Sequence, residues 1–85
     1  MKLFYHPHFV KQYAKLEKDL RLVVKEKIAL LMDSSNYKIL KVHKLHGEMK
    51  NQYSFSVDYR TRIVFEYLDK SSIVLLAIGD HDLYQ

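Results

Sequence analysis

The chain of 85 residues contains no cysteine. That absence excludes a disulfide framework, thiol nucleophiles and thiolate metal sites together. Proline occurs once, as Pro7, and glycine twice, as Gly47 and Gly79. So little punctuation leaves no linker, repeat or low-complexity tract, and a single domain over residues 1–85 is expected. No apolar run approaches the roughly 20 residues of a membrane-spanning helix. The opening stretch MKLFYHPHFV has no apolar segment followed by a small-residue cleavage site. No secretory signal is therefore expected, and the cytoplasm is the expected compartment. A glycine-rich phosphate loop, a nucleophile elbow and a dinucleotide fingerprint are missing as well.

What is present is a globular composition, 48% hydrophobic against 28% charged. A chain this small buries a limited core, so a stabilising partner is expected. The net charge of +4 is unevenly spread. Residues 1–37 carry +3 and residues 38–62 carry +4, whereas residues 63–85 carry −3. The middle of the chain is a basic block built from Lys38, Lys41, Lys44, Lys50, Arg60 and Arg62. Such a block suits a polyanionic partner or, equally simply, a solvated surface.

Residues Lys2 to Tyr5 are apolar and aromatic enough for a short opening strand. His6 or Pro7 starts a helix, where proline is tolerated in the first turn. Phe9, Val10, Tyr13 and Leu16 then recur at helical spacing. Asp19 is placed to cap a second helix, with Leu20, Val23, Val24, Ile28 and Leu31 on one stripe. The run from Asp33 to Asn36 ends it with turn chemistry. Beyond residue 50 the period changes from helical to alternating. Tyr53, Phe55 and Val57 alternate with Ser54 and Ser56; a turn at Asp58 and Tyr59 follows. Ile63, Phe65 and Tyr67 alternate with Arg62, Val64 and Glu66, and a second turn falls at Asp69 to Ser71. Residues Ile73 to Ile78 are apolar on both faces, as in a strand flanked on both sides. The expected fold is α+β: an N-terminal strand, a helical hairpin, then a three-stranded antiparallel meander with the helices on one face.

Strand parity has a consequence for function. If Phe55, Ile63 and Phe65 face the helices, Ser54, Ser56 and Arg62 face the open side. Small serines beside a strand arginine leave a shallow groove with a cation in it. Glu66 shares that face and is an ordinary charge partner for a neighbouring cation.

The ordered set of Lys41, His43, Leu45, Gly47 and Lys50, then Tyr53 and Phe55, then Tyr59, Arg62 and Phe65, then Leu75, Gly79, His81 and Tyr84 resembles the RelE/ParE toxin superfamily. The similarity is greatest to its RelE/StbE and YafQ-like branch and covers nearly the whole chain, the helical hairpin included. The resemblance implies the RelE-like fold and the toxin of a type II toxin–antitoxin pair. It further implies a ribosome-dependent mRNA endoribonuclease, with the message in the ribosomal A site as substrate and a cognate antitoxin protein as partner, in a hetero-oligomer with it. The ParE branch shares the fold but inhibits DNA gyrase without catalysis, and a degenerate member that only binds antitoxin is a third reading. Fold alone does not choose between them.

RNA cleavage without a metal needs a base for the 2′-hydroxyl, a cation for the phosphorane and an acid for the leaving 5′-oxygen. By resemblance, His43 is the base, Arg62 the phosphate contact, His81 the acid and Tyr84 an aromatic that stacks on or orients the substrate. Lys41 and Lys44 beside His43 disfavour its charged form, while Asp80 and Asp82 beside His81 favour the protonated one. Lys41, Lys44, His46, Lys50 and Arg60 are candidate RNA contacts. His43 and His46 stand three apart, but no third ligand has matching spacing, so neither metal nor cofactor is expected.

Overall fold

The computed structural model describes residues 1–47 and 51–80. Lys50, His81 and Tyr84 lie outside the described residues. The elements are β1 (Lys2–Tyr5), α1 (Pro7–Ala14), α2 (Lys18–Leu31), a 3₁₀ turn (Ser34–Asn36), β2 (His43–Lys44), β3 (Gln52–Ser56), β4 (Thr61–Asp69) and β5 (Ser72–Asp80). The strands form one sheet in the order β1-β5-β4-β3-β2. β1 runs parallel to β5, and the other pairs are antiparallel. The meander β3–β4–β5 is as expected, and β5 lies between β1 and β4. The short edge strand β2 was not anticipated: two residues are too few for an alternation to show.

Helix α1 begins where proline predicts. Pro7 occupies the first turn, and the His6 side chain caps it by accepting from the His8 N–H. α2 starts two residues earlier than expected. Its N-cap is Glu17, with no side-chain capping bond, and Asp19 sits inside the first turn, where a carboxylate favours the helix dipole instead. Phe9 from α1 and Val24, Ile28 and Leu31 from α2 are buried against Phe55, Ile63, Phe65, Ile73, Leu75 and Ile78 of the sheet. Val10 is 51% exposed and stands outside this core.

The apolar stretch of β5 keeps its core face through a bulge. Ile78 pairs with Ile63, but Leu75 pairs with Phe65, so three positions of β5 match two of β4. The irregularity at Leu76 resets the alternation, and both Leu75 and Ile78 point to the helices.

β5 outruns its neighbour, because β1 ends at Tyr5 opposite Leu75. Beyond that point the Ile78 N–H donates to the Gln12 side-chain oxygen at 2.8 Å. A helix glutamine thus takes the place of a missing strand. Gln12→Leu removes that acceptor and should cost about 1 kcal/mol in urea unfolding. No change in the unfolding midpoint would show the amide to be satisfied by water.

Candidate active site

The register of the sheet assembles the site. His43 pairs with Ser54, Ser54 with Val64, and Val64 with Ala77. One pleat away, Ser56 pairs with Arg62 and Arg62 with Gly79. Residues in these two rows share one face, opposite Phe55 and Ile63 and hence opposite the helices. Parity therefore places Ser54, Ser56 and Arg62 together as expected, and β2 adds His43 to them. The face is less open than parity alone suggested. Ser54 is 0% and Val64 2% exposed, so this middle row is covered, while Ser56 and Arg62 are half-buried.

Arg62 is held by the hairpin tip that precedes it. The Val57 N–H donates to the Thr61 carbonyl, which closes a loop over Asp58, Tyr59 and Arg60. The Asp58 Oδ1 accepts from the Arg60 N–H at 2.9 Å and the Thr61 N–H at 2.7 Å. Nη1 of Arg62 donates to the Asp58 carbonyl at 2.6 Å and to the Thr61 carbonyl at 3.1 Å. Both bonds use Nη1, so Nε and Nη2 carry the remaining donors of the guanidinium fork. Its partner is this turn and not Glu66, which pairs in register with Gln52 and Val74.

Asp58 was read only as a turn residue, yet it sets the geometry of the arginine. An aspartate followed two and three residues on by backbone donors is an Asx-turn signature, and that signal was legible. Partial burial is the largest influence on the Asp58 carboxyl and raises its pKa. The Arg60 and Thr61 N–H groups, the Thr61 hydroxyl and the Arg62 charge outweigh it and hold the carboxyl below the ordinary value. Asp33 and Asp69 are lowered as well, mainly by the backbone N–H groups of Ser35 and Ser71.

All three aspartates close turns. Their folded pKa values lie below the unfolded ones, so the stabilisation is present above about pH 4 and lost as pH falls through the lowered values. Thermal melts taken from about pH 5 down to about pH 2 should show a falling midpoint, with a shallower fall in Asp58→Ala. An unchanged slope in the variant would mean that this turn does not contribute.

His43 is exposed, and its Nδ1 lies 2.9 Å from the Lys41 carbonyl. A carbonyl only accepts, so Nδ1 carries the proton and Nε2 is the ring's acceptor in the neutral form. Strand spacing puts the His43 and Arg62 backbones about 12 Å apart, two strands across and two residues along. A substrate lying between them is within reach of both side chains.

The other candidates divide. Lys44 follows His43 in β2 and pairs with Tyr53, so it belongs to the opposite face of the sheet. Lys41 and His46 are exposed on either side of β2, and Arg60 is exposed at the hairpin tip. Asp80, the residue before His81, pairs with Thr61 next to Arg62. Among the described residues no group of three or more histidine or carboxylate side chains is placed to hold a metal ion. No helix among them is long and apolar enough to cross a membrane.

No protein-family model matches the sequence, and neither does any curated protein. Solved structures do match. The chain is similar to YafQ from E. coli at a TM-score of 0.81 and 16% identity, covering 98% of this chain and 96% of that one. It is similar to the Staphylococcus aureus YoeB-YefM complex at a TM-score of 0.75 and 18% identity, covering 95% and 97%. The E. coli RelBE toxin-antitoxin complex matches at a TM-score of 0.72 and 22% identity, over 93% and 94%. At such identities the likeness is one of backbone, and it runs from end to end with no large insertion on either side. The backbone likeness covers nearly the whole chain: the chain has the RelE/ParE toxin fold.

Proposed function

We propose that this protein is the toxin of a type II toxin–antitoxin system and cleaves messenger RNA in the ribosomal A site. The observation that carries the reading is the pairing of a proton acceptor and a fixed cation, His43 and Arg62, on the sheet face away from the helices. A fold shared with YafQ and RelBE supports it.

In the reaction, Nε2 of His43 takes the proton of a ribose 2′-hydroxyl. The 2′-oxygen attacks the adjacent phosphorus, and the P–O5′ bond breaks. Arg62 offers Nε and Nη2 to the phosphorane oxygens, whose negative charge grows in the transition state. The leaving 5′-oxygen takes a proton from His81, and the products are a 2′,3′-cyclic phosphate and a 5′-hydroxyl. The three roles suffice without a metal. Lys41, His46, Lys50 and Arg60 contribute phosphate contacts, and Tyr84 stacks on the substrate. Lys44, on the other face, contributes only long-range charge.

Expression followed by mapping of message 5′ ends tests the reading. Cleavage within translated messages, at a fixed position relative to the reading frame, is expected. Intact messages with gyrase-linked DNA breaks would overturn it in favour of gyrase inhibition.

The antitoxin would dock on the helices. Tyr5, Phe9, Val10, Tyr13, Lys25 and Ile28 line a groove of about 260 Å³. Tyr5, Phe9 and Tyr13 form a ladder with ring centroids 5.9 and 6.1 Å apart. Tyr5 and Val10 of this lining are exposed, so the apolar surface is open to a partner. An amphipathic segment with an acidic residue facing Lys25 fits it. At saturating antitoxin the melting temperature should rise by about 10 °C or more while cleavage is suppressed. Equal melting temperatures with and without the antitoxin would remove the partner.

A further inference from the structure

Among the described residues, Lys41 is the only non-glycine residue with a positive φ, at 57°. The left-handed region is disfavoured for a side chain with a Cβ, so something must hold it there. The hydrogen bonds show what does. The Val42 N–H donates to the Tyr37 carbonyl at 3.0 Å, and the Lys41 N–H to the Lys38 carbonyl at 3.1 Å. These are the two bonds of a Schellman cap, with a lysine at the position that glycine normally takes. Leu40, just before it, is buried, and its carbonyl accepts from the Ser56 N–H of β3 at 2.8 Å. The cap is thereby pinned to the strand that carries the candidate site.

The reversal turns the Lys41 carbonyl onto Nδ1 of His43 at 2.9 Å. We propose that this capping turn is a tautomer lock: the Lys41 main chain keeps the His43 proton on Nδ1 and so presents Nε2 as the base. Lys41 is then a positioning residue that acts through its backbone, whatever its ammonium group does. The inference deepens the proposed reaction and rests on His43 being the base. Its first readout, the tautomer, does not depend on any cleavage.

A second histidine supplies an internal reference. Nδ1 of His6 accepts from the His8 N–H at 3.0 Å, so neutral His6 must carry its proton on Nε2. The two rings should therefore give opposite patterns in one spectrum. Long-range ¹H–¹⁵N correlation on labelled protein, at a pH where the imidazoles are neutral, should show Nδ1 protonated and Nε2 bare in His43. His6 should show the reverse. A His43 pattern like that of His6 overturns the lock.

Two variants separate the backbone from the ammonium group. Lys41→Gly adopts the left-handed conformation freely and should retain the His43 pattern although the charge is gone. Lys41→Val resists a positive φ and should mix the tautomers, with kcat for cleavage lower by about five- to tenfold. Loss of the pattern in the glycine variant, or its retention in a folded valine variant, overturns the proposal. If the valine variant does not fold, the wild-type and glycine spectra decide. A locked tautomer in a protein that cleaves no RNA would leave the lock standing and remove the proposed function instead.

Discussion

His43→Gln should reduce single-turnover cleavage on programmed ribosomes by about 10³-fold, within the range for losing a general base. The thermal midpoint should hardly move, because the His43 ring is exposed and its hydrogen bond among the described residues is to the local Lys41 carbonyl. Glutamine keeps a donor and an acceptor but cannot carry the proton away, so the loss reports proton transfer rather than shape. The pH–rate profile of the parent should be a bell. Its acid limb, where the base becomes protonated, should disappear in His43→Gln. Its alkaline limb should disappear in His81→Gln if that residue supplies the proton to the 5′-oxygen. Both limbs unaltered in both variants would remove these histidines from the mechanism.

Arg62→Ala should lower cleavage by about 100-fold, as expected for one donor to a developing oxyanion. The cost to stability is smaller. Among the described residues the arginine makes two hydrogen bonds, to carbonyls of its own hairpin, one of them at an exposed position, and their loss amounts to about 1 kcal/mol. Arg62→Lys separates charge from geometry. An ammonium restores the positive charge but not the fork that bonds the turn through Nη1 and keeps further donors on Nε and Nη2, so recovery should be partial. Asp58→Ala, which loosens the turn and leaves the guanidinium in place, should reduce cleavage less than Arg62→Ala does. If Arg62→Ala instead unfolds the protein with no separable loss of cleavage, the arginine is a structural element of the hairpin.

Much of the architecture was legible because its causes are local. The shift from helical to alternating period after residue 50 is a property of neighbouring residues, and it marked the meander β3–β4–β5. Pro7 marked the start of α1, and the aspartates at 33, 58 and 69 marked turns they cap in the structure. Parity placed Ser54, Ser56 and Arg62 on one face before any pairing was known. The assignments at Lys50, His81 and Tyr84 came from the resemblance and fall outside the described residues.

Other features depend on partners distant in sequence, and there local pattern has no purchase. The α2 N-cap is Glu17, with no side-chain capping bond, so the capping preference of Asp19 did not set the helix start. Val10 fits the α1 stripe by spacing, but it borders a groove that exists only once α1, α2 and β1 are assembled. Lys44 looked like a neighbour of His43. Pairing to β3 sends adjacent side chains to opposite faces, and a pair of residues has no periodicity from which to read that. The amino-acid order by itself determined the two helices, the strands other than β2, the turns and the shared face of Ser54, Ser56 and Arg62, since each is marked by a pattern of residues close in the chain. Only the tertiary structure decided that β2 joins the sheet and that the turn carrying the left-handed lysine is tied to β3, because those facts rest on the His43–Ser54 pairing and the Leu40–Ser56 hydrogen bond, between segments far apart in the chain.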